Sequence, residues 1–485
     1  MKLKDILVNC NLQELKGIKD IDIDKVSFDS REVAPGTLFF AVRGTQTDGH
    51  AYIENALEKG ASAIVCEKMP QELREDVTYI RVDDSSYVLG VAAANFYGNP
   101  SKSLKLTGVT GTNGKTTIAT LLYRLFSDAG YCCGLLSTIE NIVDHEVIPS
   151  THTTPDPVKL NALLRKMVDC GCEYAFMEVS SHAIDQHRIA GLQFAGGIFT
   201  NLTHDHLDYH KTMANYRNAK KKFFDDLPSD AFALTNLDDK NGAVMLQNTK
   251  AHKLSYALKH DADYKGIVME SHFDGMLMKV NGTELYTRLV GGFNASNILA
   301  IYGAALALGF DKDELLVEIS KMNGANGRFD MVHSDSGIVG IVDYAHTPDA
   351  LENVLKTINE VRKPGQTLIT VVGCGGNRDA TKRPEMAAVA VQRSDRVILT
   401  SDNPRNEDPE EIIRQMKAGI EPGDMPRVLT ITDRREAIRT AVALAQKGDI
   451  ILLAGKGHED YQIIKGEKRH FDDKEELTKA LKEKN

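Results

Sequence analysis

Leu106-Thr-Gly-Val-Thr-Gly-Thr-Asn-Gly-Lys-Thr-Thr117 is the stretch that decides the fold of this chain. Ser103 to Val109 reads as a short apolar strand, and Gly108, Gly111 and Gly114 supply a tight turn. Ile118, Leu121, Leu122, Leu125 and Phe126 then recur at helical spacing, with Gly130 placed to end the helix. A strand, a glycine turn and a helix start are what a triphosphate requires. Backbone N–H groups of Gly111, Thr112, Asn113 and Gly114 meet the phosphates, Lys115 brings a charge, and Thr116 and Thr117 bring hydroxyls, the first of them for Mg²⁺. Where the strict phosphate-loop pattern has glycine five residues before Gly114, this chain has Val109.

Working outward, 485 residues exceed one ordinary core and predict about three domains. A 42% hydrophobic and 26% charged composition is that of a soluble globular protein. The net charge of −10 argues against a nucleic-acid partner, so any anionic ligand must be met by local basic groups. The N-terminal Met1-Lys-Leu-Lys-Asp-Ile-Leu-Val-Asn-Cys10 has no apolar run long enough for a signal peptide, and no stretch approaches a membrane span. The seven cysteines form no C-x-x-C pair and are odd in number. Reduced thiols in a cytoplasmic protein are therefore expected, without a structural zinc and without membrane insertion.

Three regions separate along the chain. Residues 1–98 hold short mixed elements and end near Tyr97-Gly-Asn-Pro100; residues 99–328 begin with the phosphate loop; residues 329–485 follow. Within the second, Met276 to Tyr286 reads as a hairpin turning at Asn281-Gly282 and extending the central sheet. In the third, Ile338–Val342, Thr367–Val372, Arg396–Thr400 and Asp449–Leu453 are continuous apolar runs separated by helical patterns, which predicts buried parallel strands in β-α units. Each run is followed at once by polar or glycine-rich residues: Asp343-Tyr-Ala-His346, Gly373-Cys-Gly-Gly-Asn-Arg378, Asp402-Asn-Pro-Arg405 and Gly455-Lys-Gly-His-Glu459. Ligands of open α/β sheets bind outside the carboxyl ends of the strands. The tail from Asp472 to Asn485 reads as a helix with a solvated face.

The central region adds Glu173-Tyr-Ala-Phe-Met-Glu178, a buried strand ending in a carboxylate. Beside a phosphate loop, Glu178 is a candidate Mg²⁺ ligand; equally, Val179-Ser-Ser-His182 can be a helix-capping cluster. Ile198 to His210 carries three His and two Asp, which can ligate zinc or arrange a triphosphate and its metal. Tyr216 to Phe224 reads as a helix, and Lys220-Lys-Lys222 as a solvated face.

These motifs together resemble the Mur ligases, the ATP-dependent amino-acid-adding enzymes of peptidoglycan precursor synthesis. The likeness spans almost the whole chain. It rests also on Asp29-Ser-Arg-Glu-Val-Ala-Pro-Gly36, Asp48-Gly-His50, Thr153-Thr-Pro155, Phe293-Asn-Ala-Ser-Asn297 and Asp343-Tyr-Ala-His-Thr-Pro348. It implies an α/β protein of three domains: an N-terminal mixed α/β uridine-binding domain, a central P-loop ATPase-like domain and a C-terminal Rossmann-like domain. Asp402-Asn-Pro-Arg405 points to the member that joins meso-2,6-diaminopimelate to the D-glutamate of UDP-N-acetylmuramoyl-L-alanyl-D-glutamate through an acyl phosphate, with ATP as co-substrate and Mg²⁺ as cofactor.

By that resemblance Ser30 would serve the uridine end, and Thr153, Thr154, Ser180, Gln186 and Arg188 the muramoyl dipeptide. Lys115 would act in catalysis with Glu178 and His206, metal ligands alongside Thr116. Lys220 would be carbamylated and offer oxygens to a metal. Asn297, Arg328 and Asp343 would hold ATP. Arg378, Asp402, Asn403, Pro404, Arg405, Gly455 and Glu459 would hold diaminopimelate. The chain would work as a cytoplasmic monomer on small-molecule substrates. Two departures stand out: Asn326 where relatives often have Pro before the linker Gly-Arg, and His152 where Asn is common. A folylpolyglutamate-synthetase-like ligase shares the architecture, but Asp29-Ser-Arg31 and Asp402-Asn-Pro-Arg405 argue against it. A P-loop switch or motor would leave the polar strand ends of the third region unexplained.

Overall fold

The computed structural model describes residues 1–44, 47–150 and 152–484. Its centre is an eleven-stranded sheet in which the Lys105–Thr110 strand lies between Tyr174–Glu178 on one side and Gly196–Phe199 on the other, all parallel. The strand order therefore reverses at Lys105–Thr110, and the phosphate loop leaves its carboxyl end at that switch point, where an open α/β sheet forms its ligand crevice. The strand begins two residues later than the sequence predicts, because Pro100–Ser103 closes a 3₁₀ turn first. Val109, the residue that breaks the strict loop pattern, is a fully buried strand residue whose carbonyl accepts from Val179 N–H at 2.8 Å. Only from Gly111 does the chain turn away.

The helix after the loop runs Lys115–Asp128 and buries Ile118, Leu121, Leu122, Leu125 and Phe126, as their spacing predicts. It ends before Gly130, whose φ of +91° suits a helix terminus. Gly275–Val280 and Thr283–Thr287 form the expected hairpin, with Asn281 (φ +45°) and Gly282 (φ +86°) as a two-residue turn, and they sit at the edge of the central sheet. Met276, Met278 and Val280 point inward from alternate positions onto the long helix Gly292–Ala307.

The third region forms a six-stranded sheet. The parallel strands Val339–Asp343, Ile450–Ala454, Leu368–Val372, Arg396–Leu399 and Val428–Thr430 lie in that order, with Asp330–His333 antiparallel at the first edge. Both faces carry apolar cores, one gathered by Leu351, Leu355 and Met386, the other by Ala437, Ile438 and Leu477. Continuous apolar strands follow from that double coverage. The N-terminal sheet orders its strands Leu12–Lys16, Thr78–Val82, Ala63–Cys66, Thr37–Phe40 and Lys25–Ser27, only the first antiparallel to its neighbour. No helix among the described residues is long and apolar enough to cross a membrane.

The tail helix runs Asp473–Lys484, and Asn485 lies outside the described residues. One face is solvated as predicted, but its first residue is fully buried. Asp473 takes two hydrogen bonds from Arg434, at 2.7 and 2.6 Å, with both side chains wholly shielded from solvent. Arg434 also donates to the Ala454 carbonyl at 3.2 Å, so one guanidinium ties two helices to the end of a strand. Arg434→Met strands a buried carboxylate and is expected to cost about 3–5 kcal/mol in chemical denaturation, with Arg434→Met/Asp473→Leu costing less than the single change.

Candidate active site

Strand ends of the central and C-terminal sheets face each other across a cleft of about 900 Å³. On the central side, Gly111 has φ +150°, and a Cβ there would meet Thr200 Oγ1 at 1.8 Å; only glycine lets the loop pass. Thr200 and Asn201 brace the loop: Thr200 Oγ1 donates to the Asn113 carbonyl at 2.6 Å, and Asn113 N–H donates to Asn201 Oδ1 at 2.9 Å. No side chain caps the helix that starts at Lys115, so its first N–H groups stay free for an anion. Lys115 Nζ donates to the carbonyls of Gly111 (3.0 Å) and Thr112 (2.8 Å), and burial pulls its affinity for a proton down.

Lys220 departs from its composition-based reading. The helix Met213–Asp225 buries it completely, while Lys221 pairs with Asp225 at 2.5 Å and Lys222 is exposed. Tyr216 and Lys220 are four apart and share the buried helix face, so the lysine lies over the tyrosine ring at 4.8 Å. Lys220 Nζ donates to the Gly111 carbonyl at 2.9 Å, the same oxygen that Lys115 uses. Its pKa falls well below the ordinary lysine value, through burial first and the Lys115 charge second. No carboxylate among the described residues pairs with it.

Glu178 ends its strand almost fully buried. Its Oε1 accepts from Thr116 Oγ1 (2.9 Å) and Thr138 N–H (2.7 Å), whereas Oε2 has no hydrogen-bond partner among the described residues. An orphaned carboxylate oxygen beside the phosphate loop is what an oxygen-seeking cation fits. Ser180 caps the short helix Ser181–Asp185, as the capping reading of this segment expects. His206 lies in the same cleft, its imidazole held neutral by burial, which lowers its pKa to about 3 against the pull of Asp205 at 3.4 Å. His210 instead turns to Ser181 Oγ at 2.9 Å. Among the described residues no three His, Cys, Asp or Glu side chains converge as a metal cluster, so the zinc reading of Ile198 to His210 finds no support.

Thr153, Thr154, Ser180 and Arg188 gather on the cleft wall: Arg188 donates to the Thr154 carbonyl at 2.9 Å, and Thr138 Oγ1 to Thr153 Oγ1 at 3.0 Å. Gln186 is set behind the wall and accepts from Arg188 at 2.7 and 3.1 Å, orienting that guanidinium. Ser30 lies in the N-terminal sheet region, with its carbonyl bonded by Lys59 Nζ at 2.9 Å, outside the cleft.

Asn297 and Arg328, from the end of the second region, close the nucleotide side. Arg328 donates to Thr116 Oγ1 at 3.1 Å and stacks on Tyr344 at 4.5 Å, while Asn113 Nδ2 reaches Asp349 Oδ2 at 2.9 Å. Asp343 accepts from Phe329 N–H at 2.7 Å, and full burial raises its carboxyl to about 6. Arg378, Asp402, Asn403, Arg405, Gly455 and Glu459 all line the far end; Pro404 and Gly111 shape their loops from behind. Arg405 has φ +54°, held there by its backbone bonds with Ile463 and Lys465, and its side chain donates to the Gly376 carbonyl at 2.7 Å. Asn403 Nδ2 donates to Glu459 Oε2 at 2.7 Å, and burial with the nearby Asp402 raises the Glu459 pKa. Sequence reasoning missed Tyr216, Lys382 and Lys456; the i, i+4 spacing to Lys220 was a signal for the first, and flanking glycines for the last.

Family models match the chain along nearly all its length: the catalytic domain of the Mur ligase family at residues 22–97, the Mur ligase middle domain at 109–305, and the Mur ligase glutamate ligase domain at 327–457. The chain belongs to the Mur ligase family. It is 60% identical over 481 residues, 99% of each chain, to the UDP-N-acetylmuramoyl-L-alanyl-D-glutamate--2,6-diaminopimelate ligase of Bacteroides fragilis. It is 40% identical over 491 residues, all of each chain, to the ligase of that name from Clostridium tetani. A solved structure of a ligase with the same name superposes with a TM-score of 0.68 at 36% identity, covering 95% of each chain.

Asp343 carries a pH signature of its own. A buried carboxyl whose pKa lies above the unfolded value disfavours the folded state once it ionises, so its penalty is absent below about pH 4 and complete above about pH 6. In ligand-free protein, Asp343→Asn is expected to gain stability over wild type as pH rises through that window, by roughly 3 kcal/mol at neutral pH. Denaturation curves at pH 4, 5, 6 and 7 measure the difference; a pH-independent one contradicts it.

Proposed function

We infer that this chain is an ATP-dependent ligase that adds meso-2,6-diaminopimelate to the D-glutamate of UDP-N-acetylmuramoyl-L-alanyl-D-glutamate, releasing ADP and phosphate in peptidoglycan precursor synthesis. The observation that carries the reading is that one cleft joins a phosphate loop to an arginine-and-acid pocket at Arg405. Joining a carboxylate to an amine in water is uphill. Transfer of the ATP γ-phosphoryl group to the glutamate carboxylate makes an acyl phosphate; the amine then forms the C–N bond and phosphate leaves. Such chemistry needs alignment and charge neutralisation more than acid-base groups.

In this reading residues 1–98 hold the uridine end through Ser30, residues 99–328 bind ATP, and residues 329–485 bind the amino acid. Thr153, Thr154, Ser180 and Arg188 receive the dipeptide, with Gln186 orienting Arg188. Lys115, Asn297, Arg328 and Asp343 meet the nucleotide. Thr116, Glu178 through its free Oε2, and neutral His206 would hold Mg²⁺, which neutralises phosphate charge when bound. Lys220, an amine whose hold on its proton burial weakens, adds CO₂ and loses a proton to become a carbamate, placing an anion beside Lys115. In this reading the chain works as a cytoplasmic monomer on small-molecule substrates. A folylpolyglutamate synthase of Mycobacterium tuberculosis shares the fold at 18% identity, but Asp402-Asn-Pro-Arg405 favours the amino-acid substrate proposed here.

ADP release that requires both the UDP-muramoyl dipeptide and diaminopimelate tests the assignment. Arg405 supplies its specificity. Diaminopimelate differs from L-lysine by one distal carboxylate, which a guanidinium can hold with two parallel hydrogen bonds. Charged hydrogen bonds contribute roughly 1.5–3 kcal/mol each, so wild type is expected to prefer diaminopimelate by about 10²- to 10⁴-fold in kcat/KM. Arg405→Ala should lose most of that activity with little change for lysine; equal losses for both, or a wild type preferring lysine, would contradict the role.

A further inference from the structure

Lys456 is wholly buried yet belongs to a turn, between Gly455 (φ +118°) and Gly457 (φ +52°), just after the Ile450–Ala454 strand. A Cβ at Gly455 would stand 3.0 Å from Asp402 Oδ2, and one at Gly457 would stand 2.6 Å from the Gly327 carbonyl and the Tyr344 Cβ. Two positions without side chains let the chain turn tightly and send the lysine between them inward. Its ammonium bonds the Tyr461 carbonyl and lies 3.3 Å from Glu459 Oε2 and 3.6 Å from Asp402 Oδ1. All of it is engaged with protein.

The two carboxylates are less well served. Among the described residues Asp402 Oδ1 is buried with no hydrogen-bond partner, and Glu459 Oε1 has only the Tyr344 hydroxyl at 3.5 Å. Two buried acids against one buried ammonium leave the pocket one positive charge short. The nearby Arg434 does not make up the difference, because Asp473 matches it, and Arg405, which donates to the Gly376 carbonyl, forms no ion pair with either acid among the described residues. We propose that Lys456 is the fixed counter-charge that holds Asp402 and Glu459 as a ready acceptor pair for an ammonium group of the incoming amino acid. This rests on the ligase reading above and adds a positioning residue to it.

The physical reason is the closeness of the acids. Burial and the Asp402 charge raise the Glu459 pKa, and Lys456 lowers it. Without Lys456 the pair takes up a proton, which then occupies the place of the ligand's ammonium. The charged groups facing the pair are Lys456 on the same turn as Glu459, Arg434 on its helix, and Arg405 beyond; Tyr344 and Tyr461 face it as neutral phenols. A lost binding step of this kind is recovered as pH rises through the shared pKa.

Initial rates with diaminopimelate varied, ATP and the UDP-muramoyl dipeptide saturating, are measured from pH 6.5 to 8.5. Lys456→Met is expected to raise KM for diaminopimelate by at least about 10-fold at pH 6.5, more than it lowers kcat, with the gap to wild type narrowing as pH rises. In Lys456→Met/Glu459→Gln, where the removed charges balance, the pH dependence should disappear and thermal stability should exceed that of Lys456→Met. A Lys456→Met enzyme with the wild-type pH profile of KM, or a double variant no more stable than the single, overturns the proposal; the stability comparison decides the matter even if Lys456→Met folds poorly. A wild type that releases no ADP in response to diaminopimelate overturns the ligase reading itself.

Discussion

Half-buried Lys115 and fully buried Lys220 share one carbonyl oxygen. Both donate to Gly111, and among the described residues neither is ion-paired to a carboxylate, although Glu178 and Asp205 stand near enough to act on Lys115 and Asp205 on Lys220. Placing two ammonium groups so close inside protein is unfavourable, and the rest of the site is arranged around that excess of positive charge. It holds a place for an anion at the helix N-terminus of Lys115–Asp128, and it drives Lys220 toward its uncharged form. A polyphosphate at the loop and the carbamate proposed on Lys220 would both relieve it. The same surroundings keep His206 neutral and leave Glu178 Oε2 open.

The opposite imbalance lies at the far end of the cleft, where Asp402 and Glu459 outnumber Lys456. One cleft thus runs from a helix N-terminus and two lysines that suit a phosphate to a region short of positive charge. A reaction that brings an anionic phosphate donor to one end and an ammonium-bearing amino acid to the other matches both. Asn113, donating to Asp349, and Arg328, which donates to Thr116 and stacks on Tyr344, link the two walls directly. Water exclusion matters for an acyl phosphate, and these cross-cleft bonds give closure a structural basis.

Much of this was legible in the sequence because the elements that carry it are locally encoded. Gly111 and Gly114 mark a turn that no other residue tolerates, and the apolar runs at Leu368–Val372 and Ile450–Ala454 declare strands covered on both faces. Glu178 was ambiguous between metal ligand and capping segment, and the fold makes the distinction unnecessary, since Ser180 caps while Glu178 turns to Thr116. Lys220 was hidden among three lysines, because which face of a helix is buried depends on what packs against it; here Tyr216 and the phosphate loop decide. Lys456 was hidden differently. Its motif was visible, but the inward direction follows from close contacts of Gly455 with Asp402 and of Gly457 with Gly327, which no local pattern reveals.

The state of Lys220 is the most direct measure of how the site balances its charge. Protein equilibrated with ¹³C-bicarbonate is examined by ¹³C NMR, alongside Lys220→Ala. One carbamate carbonyl signal, present in wild type and absent from the variant, is the expected result. A wild-type spectrum without that signal, from enzyme that turns over ATP normally, would contradict the central claim that buried Lys220 is relieved by becoming an anion.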